Sequence, residues 1–208
     1  MRLENCFKKL MQKIKIVLVF EALFLLQCNL FGPEPGDPAF PAPIDPGDSV
    51  AVRAILDSNN LKNINVRRVI DPFSKGRVTT LRLDSLSLDS FKFINDFQKL
   101  DSFIGIDLSN NKIAIVNVPE SLKFNSNIVG IDLGRNLLSE FPIGVLKIKG
   151  LLSVGVEYNK ISTISHELIG SGFRQINFSH NNLCSVSDTV KLWLDSVQNN
   201  WANFQNCP

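Results

Sequence analysis

The chain has 208 residues, 22 of them basic and 20 acidic, a balance without the strong positive charge that nucleic-acid readers carry. Two histidines, His166 and His180, with no neighbouring Cys pair make no recognisable zinc site, and neither a glycine-rich phosphate loop nor a G-x-S-x-G elbow is present. Ser179 beside His180 does not suggest a nucleophile and its base, because adjacent residues on a strand point to opposite faces. The composition therefore points to a non-enzymatic chain with no cofactor, metal or catalytic residue.

The first 27 residues read as an export signal. Arg2, Lys8, Lys9, Lys13 and Lys15 precede the apolar run Ile16 to Leu26, which is too short for the roughly 20 residues a membrane span needs. Leu25-Leu26-Gln27-Cys28 resembles the lipobox of bacterial lipoproteins, although Gln27 stands where that family has a small residue. The resemblance implies a lipidated Cys28 and a membrane-anchored protein at the outer membrane or cell surface. An ordinary secreted protein and an uncleaved anchor are the alternatives. Without residues 1–27, which hold 5 basic and 2 acidic side chains, the remainder carries 17 basic against 18 acidic, a net charge of −1.

Residues 28–48 form an expected tether. Within it, Pro33, Pro35, Pro38, Pro41, Pro43 and Pro46 disfavour helix and sheet between Gly32 and Asp48 and favour an extended spacer, which over those seventeen residues at about 3.1 Å each spans roughly 50 Å. Residues 49–77 are expected to form an amino-terminal cap. Val52, Ile55 and Leu56 recur at helical spacing, Asp48 or Ser49 is placed to accept from the first free amides, and Asn59-Asn60 supplies a stop. Leu61 to Ile70 alternates weakly through Ile64 and Val66 and suggests an edge strand.

From residue 78 one pattern recurs. Phe103-x-x-Ile106-x-Leu108-x-x-Asn111-x-Ile113 returns as Ile128, Ile131, Leu133, Asn136, Leu138, then as Leu151, Val154, Val156, Asn159, Ile161, and again as Phe173, Ile176, Phe178, Asn181, Leu183. Val78, Leu81, Leu83, Leu86 and Leu88 keep the apolar positions with Leu86 in place of the Asn. The Asn residues stand 25, 23 and 22 positions apart. This resembles the leucine-rich-repeat family of the bacterial extracellular type, over residues 78–183 in about five repeats. The resemblance implies an α/β solenoid with short parallel strands on a concave face, an irregular or short-helical convex side, and a capped end on either side. Asn111, Asn136, Asn159 and Asn181 are expected to form a structural ladder bonding the backbone of adjacent turns, which Leu86 ends. Phe91, Phe93, Ile94 and Phe97 suggest a short helix on the convex side, with phenylalanines filling the core between turns.

The exposed positions of that face follow by offset. Between the paired aliphatics stand Arg82, Asp107, Asp132, Gly155 and Asn177; two positions on come Asp84, Ser109, Gly134, Glu157 and Ser179; one further are Ser85, Asn110, Arg135, Tyr158 and His180. Strands lie about 4.8 Å apart, so Asp107 and Asp132 should be like-charged neighbours. Arg82 answers that repulsion from within, and a basic partner or a bound cation answers it from without. Tyr158 between Arg135 and His180 is a second candidate patch.

Residues 184–208 are expected to close the other end. Ser187-Asp188 opens a helix bearing Val190, Trp193, Leu194 and Val197, with Trp201 and Phe204 beyond. Cys6 falls in the signal and Cys28 at its end, which leaves Cys184 and Cys207, an exported pair that reads as a disulfide bracketing the cap. The sequence thus suggests a monomeric module on the cell envelope, binding a protein or glycan through Arg82, Asp84, Asp107, Asp132, Arg135, Glu157, Tyr158, Asn177 and His180. A structural envelope component, or an inhibitor or accessory of another protein, is the alternative.

Overall fold

The structure, a computed structural model, describes residues 43–70, 76–122 and 128–207. The export signal, Cys28 and the tether up to residue 42 lie outside the described residues.

Helix α1 (Pro46–Ser58) comes first. It begins before the expected Asp48-Ser49, because Pro46 occupies the first turn and Asp45 caps it, accepting from the amides of Gly47 and Asp48 at 2.9 and 3.1 Å. Asp48 is freed for another task. It is 1% exposed and takes two hydrogen bonds from the Arg77 guanidinium and one, at 2.7 Å, from the Val78 amide. A buried carboxylate would be costly alone, and these three donors satisfy it where α1 meets the first repeat. Ala51, Val52, Ile55 and Leu56 bury the inner face of the helix.

The expected edge strand at 61–70 is instead a 3-10 turn, Val66–Arg68, followed by a single antiparallel bridge from Ile70 to Leu81. Side chains occupy the backbone that a strand would have used. Arg53 donates to the carbonyls of Leu61 and Ile64, and Asn65 accepts from the Arg67 amide.

Five three-residue strands then form a parallel sheet: β1 (Thr80–Arg82), β3 (Gly105–Asp107), β5 (Gly130–Asp132), β6 (Ser153–Gly155) and β7 (Gln175–Asn177), adjacent in chain order. The middle residue of each strand, Leu81, Ile106, Ile131, Val154 or Ile176, points into the core, so the flanking residues share the opposite, solvent-facing side. Strands β2 (Ser90–Lys92) and β4 (Ile115–Asn117) make a second, two-stranded parallel sheet on the returning side of the coils. Where Phe91 to Phe97 suggested a short helix, β2 leads into a 3-10 helix, Asn95–Lys99. Phe91, Phe93, Phe97 and Phe103 pack there with successive ring centroids 5.1 to 5.4 Å apart.

The buried asparagines pin one coil to the next. Asn136 accepts from the Ile113 amide at 2.9 Å and donates to the carbonyls of Leu108, Leu133 and Gly134 at 3.0 to 3.2 Å. Asn111, Asn159 and Asn181 repeat the same four contacts on their own neighbours. One further rung follows at Gln205, which accepts from the Leu183 amide and donates to the Phe178 carbonyl. These are the partners an Asn of a next repeat would take. Asn59, at the end of α1, clamps the backbone of Lys92 through both its amide atoms.

Helix α2 (Asp188–Val197) is capped by Ser187, whose hydroxyl accepts from the Val190 amide, and buries Val190 and Leu194. Trp201 is buried beyond it, and Cys184 is bonded to Cys207. Gln198, just past α2, accepts from the Phe178 amide at 2.7 Å. It thereby satisfies a donor that in earlier coils bonds the carbonyl of the next strand.

Candidate binding surface

The solvent-facing side of the five-stranded sheet is built from two residues per strand and the turn that follows. The register aligns Arg82, Asp107, Asp132, Gly155 and Asn177 in one row, and Thr80, Gly105, Gly130, Ser153 and Gln175 in another. Asp107 and Asp132 are therefore direct neighbours, with Arg82 beside Asp107.

The turns after β3, β5 and β7 are closed by the same device. Asp107 Oδ1 accepts from the Ser109 amide at 2.9 Å, Asp132 Oδ1 from Gly134 at 2.8 Å, and Asn177 Oδ1 from Ser179 at 3.0 Å. Such a turn needs one side-chain oxygen and no charge, as Asn177 demonstrates. The carboxylates at 107 and 132 exceed what the fold requires of those positions.

The next residues enter the left-handed region. Ser85, Asn110, Arg135, Tyr158 and His180 all have φ between 54° and 58°. This costs little at Asn110 and on the order of 1–2 kcal/mol at a residue such as Tyr158. The shared kink lines up the third column. The Arg135 guanidinium sits 4.1 Å from the Tyr158 ring centroid, and Tyr158 stacks on His180 with centroids 4.1 Å apart and planes 15° from parallel. Phe204 extends the row at 6.0 Å from His180. Tyr158 and Phe204 are exposed, at 41% and 48%, and present this rail to solvent.

Beside the rail lies a group of carboxylates. Burial, and then the negative charge of Glu157, push the Asp132 carboxyl up to about 7, with smaller contributions from Asp107 and Asp84. Burial also raises Asp107, where the Ser109 hydroxyl and amide pull the other way. Glu157 is raised by burial against the opposing pull of Arg135. Glycines surround Asp132: Gly130 and Gly134 in its own coil and Gly155 across the ladder. A Cβ placed on Gly134 would lie 2.7 Å from Glu157 Oε1 and 3.1 Å from Asp132 Oδ1, so the two carboxylates converge on the space that this glycine leaves.

All nine residues singled out from the sequence thus fall on this face or its edge. Asp107, Asp132 and Glu157 interact electrostatically, with Asp84 acting on Asp107 and Asp132 and Arg82 on Asp107. Arg135, Tyr158 and His180 form the rail, while Asn177 is tied to the closing segment through Gln198. Ser153 was not anticipated. It is 1% exposed on the solvent-facing row, and its hydroxyl has no hydrogen-bond partner among the described residues. A lone Ser in a strand gives no sequence signal for this. Among the described residues no group of three or more His, Cys, Asp or Glu side chains has the arrangement of a metal site.

Neither a protein-family model nor a curated protein matches the sequence. Among solved structures, the chain is similar to the leucine-rich repeat domain of the type III effector XCV3220 (XopL). The match has 12% identity and a TM-score of 0.41, over 70% of this chain and 61% of that one. The chain thus spans less than two thirds of that neighbour's length. The fold is α/β with a five-stranded parallel sheet.

Proposed function

We propose that the chain is a non-enzymatic protein-binding module, a leucine-rich-repeat solenoid whose concave face is the solvent-facing side of the five-stranded sheet. In this reading residues 49–77, together with the three helical residues before them, and residues 184–208 are caps. They cover the ends that open coils would otherwise expose. The observation that carries the binding role is the row of partly buried carboxylates at positions where the turn needs only a neutral oxygen, as at Asn177. Charge kept where it weakens the fold is best accounted for by a partner that uses it. Short parallel strands held by buried amides offer a rigid surface, which lowers the ordering cost of association.

We further propose that Cys28 is lipidated and that the proline-rich segment spaces the module from a bacterial membrane. Both proposals rest on the sequence alone. Intact mass of protein from its native membrane fraction tests them: a species starting at Cys28 and heavier by acyl chains is expected. An unlipidated start elsewhere would overturn the anchor and leave the module intact. For the binding face, a photo-crosslinker at Arg82 should capture one envelope protein reproducibly, and Asp107→Lys with Asp132→Lys should abolish that capture. Undiminished capture by the doubly substituted chain would sink the role assigned to this face.

A further inference from the structure

The carboxylate pair at Asp132 and Glu157 has features that narrow the chemistry of what binds it. Glu157 Oε1 and Asp132 Oδ1 lie 2.7 and 3.1 Å from one point beside Gly134, so they are no more than about 6 Å apart. The second oxygen of Glu157, Oε2, is shielded from solvent and has no donor among the described residues. Ser153, one residue from the ladder partner of Ile131 and on the same sheet face as Gly155, is almost fully buried with its hydroxyl equally unpartnered. A carboxylate oxygen and a hydroxyl, both enclosed and without partners in one coil, are an uncommon cost for a native surface to carry.

The neighbouring cations do not resolve this. The Arg135 guanidinium is laid over the Tyr158 ring, and Arg82 stands opposite Asp107, one strand further away from Glu157. Asp84 and Asp107 add negative potential from the other side. Arg135 acts on Glu157 and Arg82 on Asp107, and no positive group is among the charges acting on Asp132.

We propose that this pair receives a single lysine side chain of a partner protein, with the ammonium seated between the Asp132 and Glu157 carboxylates. The proposal rests on the reading of this face as the binding surface. An ammonium carries three donors and no acceptor, which matches the Asp132 and Glu157 carboxylates and the lone pairs of the Ser153 hydroxyl. It is also a compact point charge on a slender stem, suited to two carboxylates that converge from different coils. A guanidinium fork is matched instead to the two oxygens of one carboxylate. Glycines at 130, 134 and 155 leave bare backbone beside the two carboxylates. The stacked rail of Arg135, Tyr158 and His180 borders the site and favours a partner segment that runs alongside it.

The test uses three peptides as probes, tetralysine, tetra-arginine and tetra(Nε-acetyl-lysine), titrated calorimetrically into the protein at pH 7. Tetralysine is expected to bind saturably, the acetylated peptide to lose binding, and tetra-arginine to bind more weakly than tetralysine. Asp132→Asn and Glu157→Gln should each weaken tetralysine by about tenfold or more, the loss expected when one partner of a desolvated charge pair is removed. Thermal melting verifies that both variants stay folded. Repeating the titration in buffers of different ionisation enthalpy should show about half a proton released per complex, since a carboxyl near 7 is half protonated there. Equal binding of tetralysine by wild type and both variants, or equal binding of the acetylated or arginine peptide, overturns the lysine assignment. If the Arg82 crosslink to an envelope protein survives Asp132→Asn while tetralysine binding is lost or absent, the face still binds but not through a lysine. If the crosslink never forms, it is the binding reading that fails.

Discussion

Asp132→Asn should make the folded protein more stable at neutral and alkaline pH. The amide keeps the Oδ1 that accepts from Gly134, so the turn is preserved and only the charge is removed. The Asp132 carboxyl is pushed up to about 7 in the folded chain, against about 3.9 in an unfolded one. Between these values the folded state binds the extra proton, so stability falls as pH rises from about 4 towards 7. Three units correspond to roughly 4 kcal/mol as a ceiling above pH 7, at about 1.4 kcal/mol per unit. Glu157 and Asp107 relax once the central charge is gone, so about half of that, near 2 kcal/mol, is the expected gain. For a domain of this size it raises the melting temperature by about 4–8 °C. Chemical denaturation at pH 8 and at pH 4 measures it directly. The variant should be the more stable at pH 8, and the difference should shrink towards zero at pH 4. A variant less stable than wild type at pH 8, or a gain equally large at pH 4, would refute the account of a strained carboxylate.

The ladder gives the opposite sign. Asn136→Ala removes three donated bonds and one accepted bond inside the core, and should cost about 3–4 kcal/mol in urea denaturation at every pH. Gln205→Ala should lose about 1–2 kcal/mol and raise amide exchange at Leu183, whose N–H it accepts. Replacing Cys184 and Cys207 by Ser opens a loop with a sequence separation of 23, worth about 3 kcal/mol in chain entropy, and should lower the melting temperature accordingly. A double Ser variant that melts with the wild type would place the closing segment's stability in Trp201 and Leu194 alone.

The repeating part of the fold was legible because the sequence repeats it. Leu81, Ile106, Ile131, Val154 and Ile176 recur at one offset, and that offset places the five strands of the larger sheet and their order, though not β2 and β4. The ends were harder to read because each is closed by single residues with no period. Asp48 looked like a helix cap and is instead the buried acceptor for Arg77, since Asp45 already serves the helix. Asn59 looked like a stop signal and also clamps Lys92. Gln205 was discoverable in principle: it lies 24 residues after Asn181, within the spacing of the repeat, with a side chain one methylene longer. On the exposed face, alternation was enough to place Asp107 beside Asp132. It gave no sign of how deeply the glycines at 130, 134 and 155 would sink Asp132, because burial on a surface depends on what the neighbouring coils omit.

That omission ties the stability prediction to the binding proposal. A turn that an amide closes equally well at Asn177 carries a carboxylate at Asp132, and the glycine at 134 leaves room for Glu157 to come within reach of it. A side chain at 134 would have to displace one of the two acids, which would relieve their repulsion at small cost to the ladder beneath. The fold therefore tolerates a local loss where a simple substitution would remove it. If one binding event supplies the missing charge, the lost stability should return on binding, and Asp132→Asn should gain least from tetralysine while melting highest without it. A wild-type chain whose melting temperature does not rise with tetralysine, next to a variant that is more stable on its own, would separate the two ideas and leave the strain without a ligand to explain it.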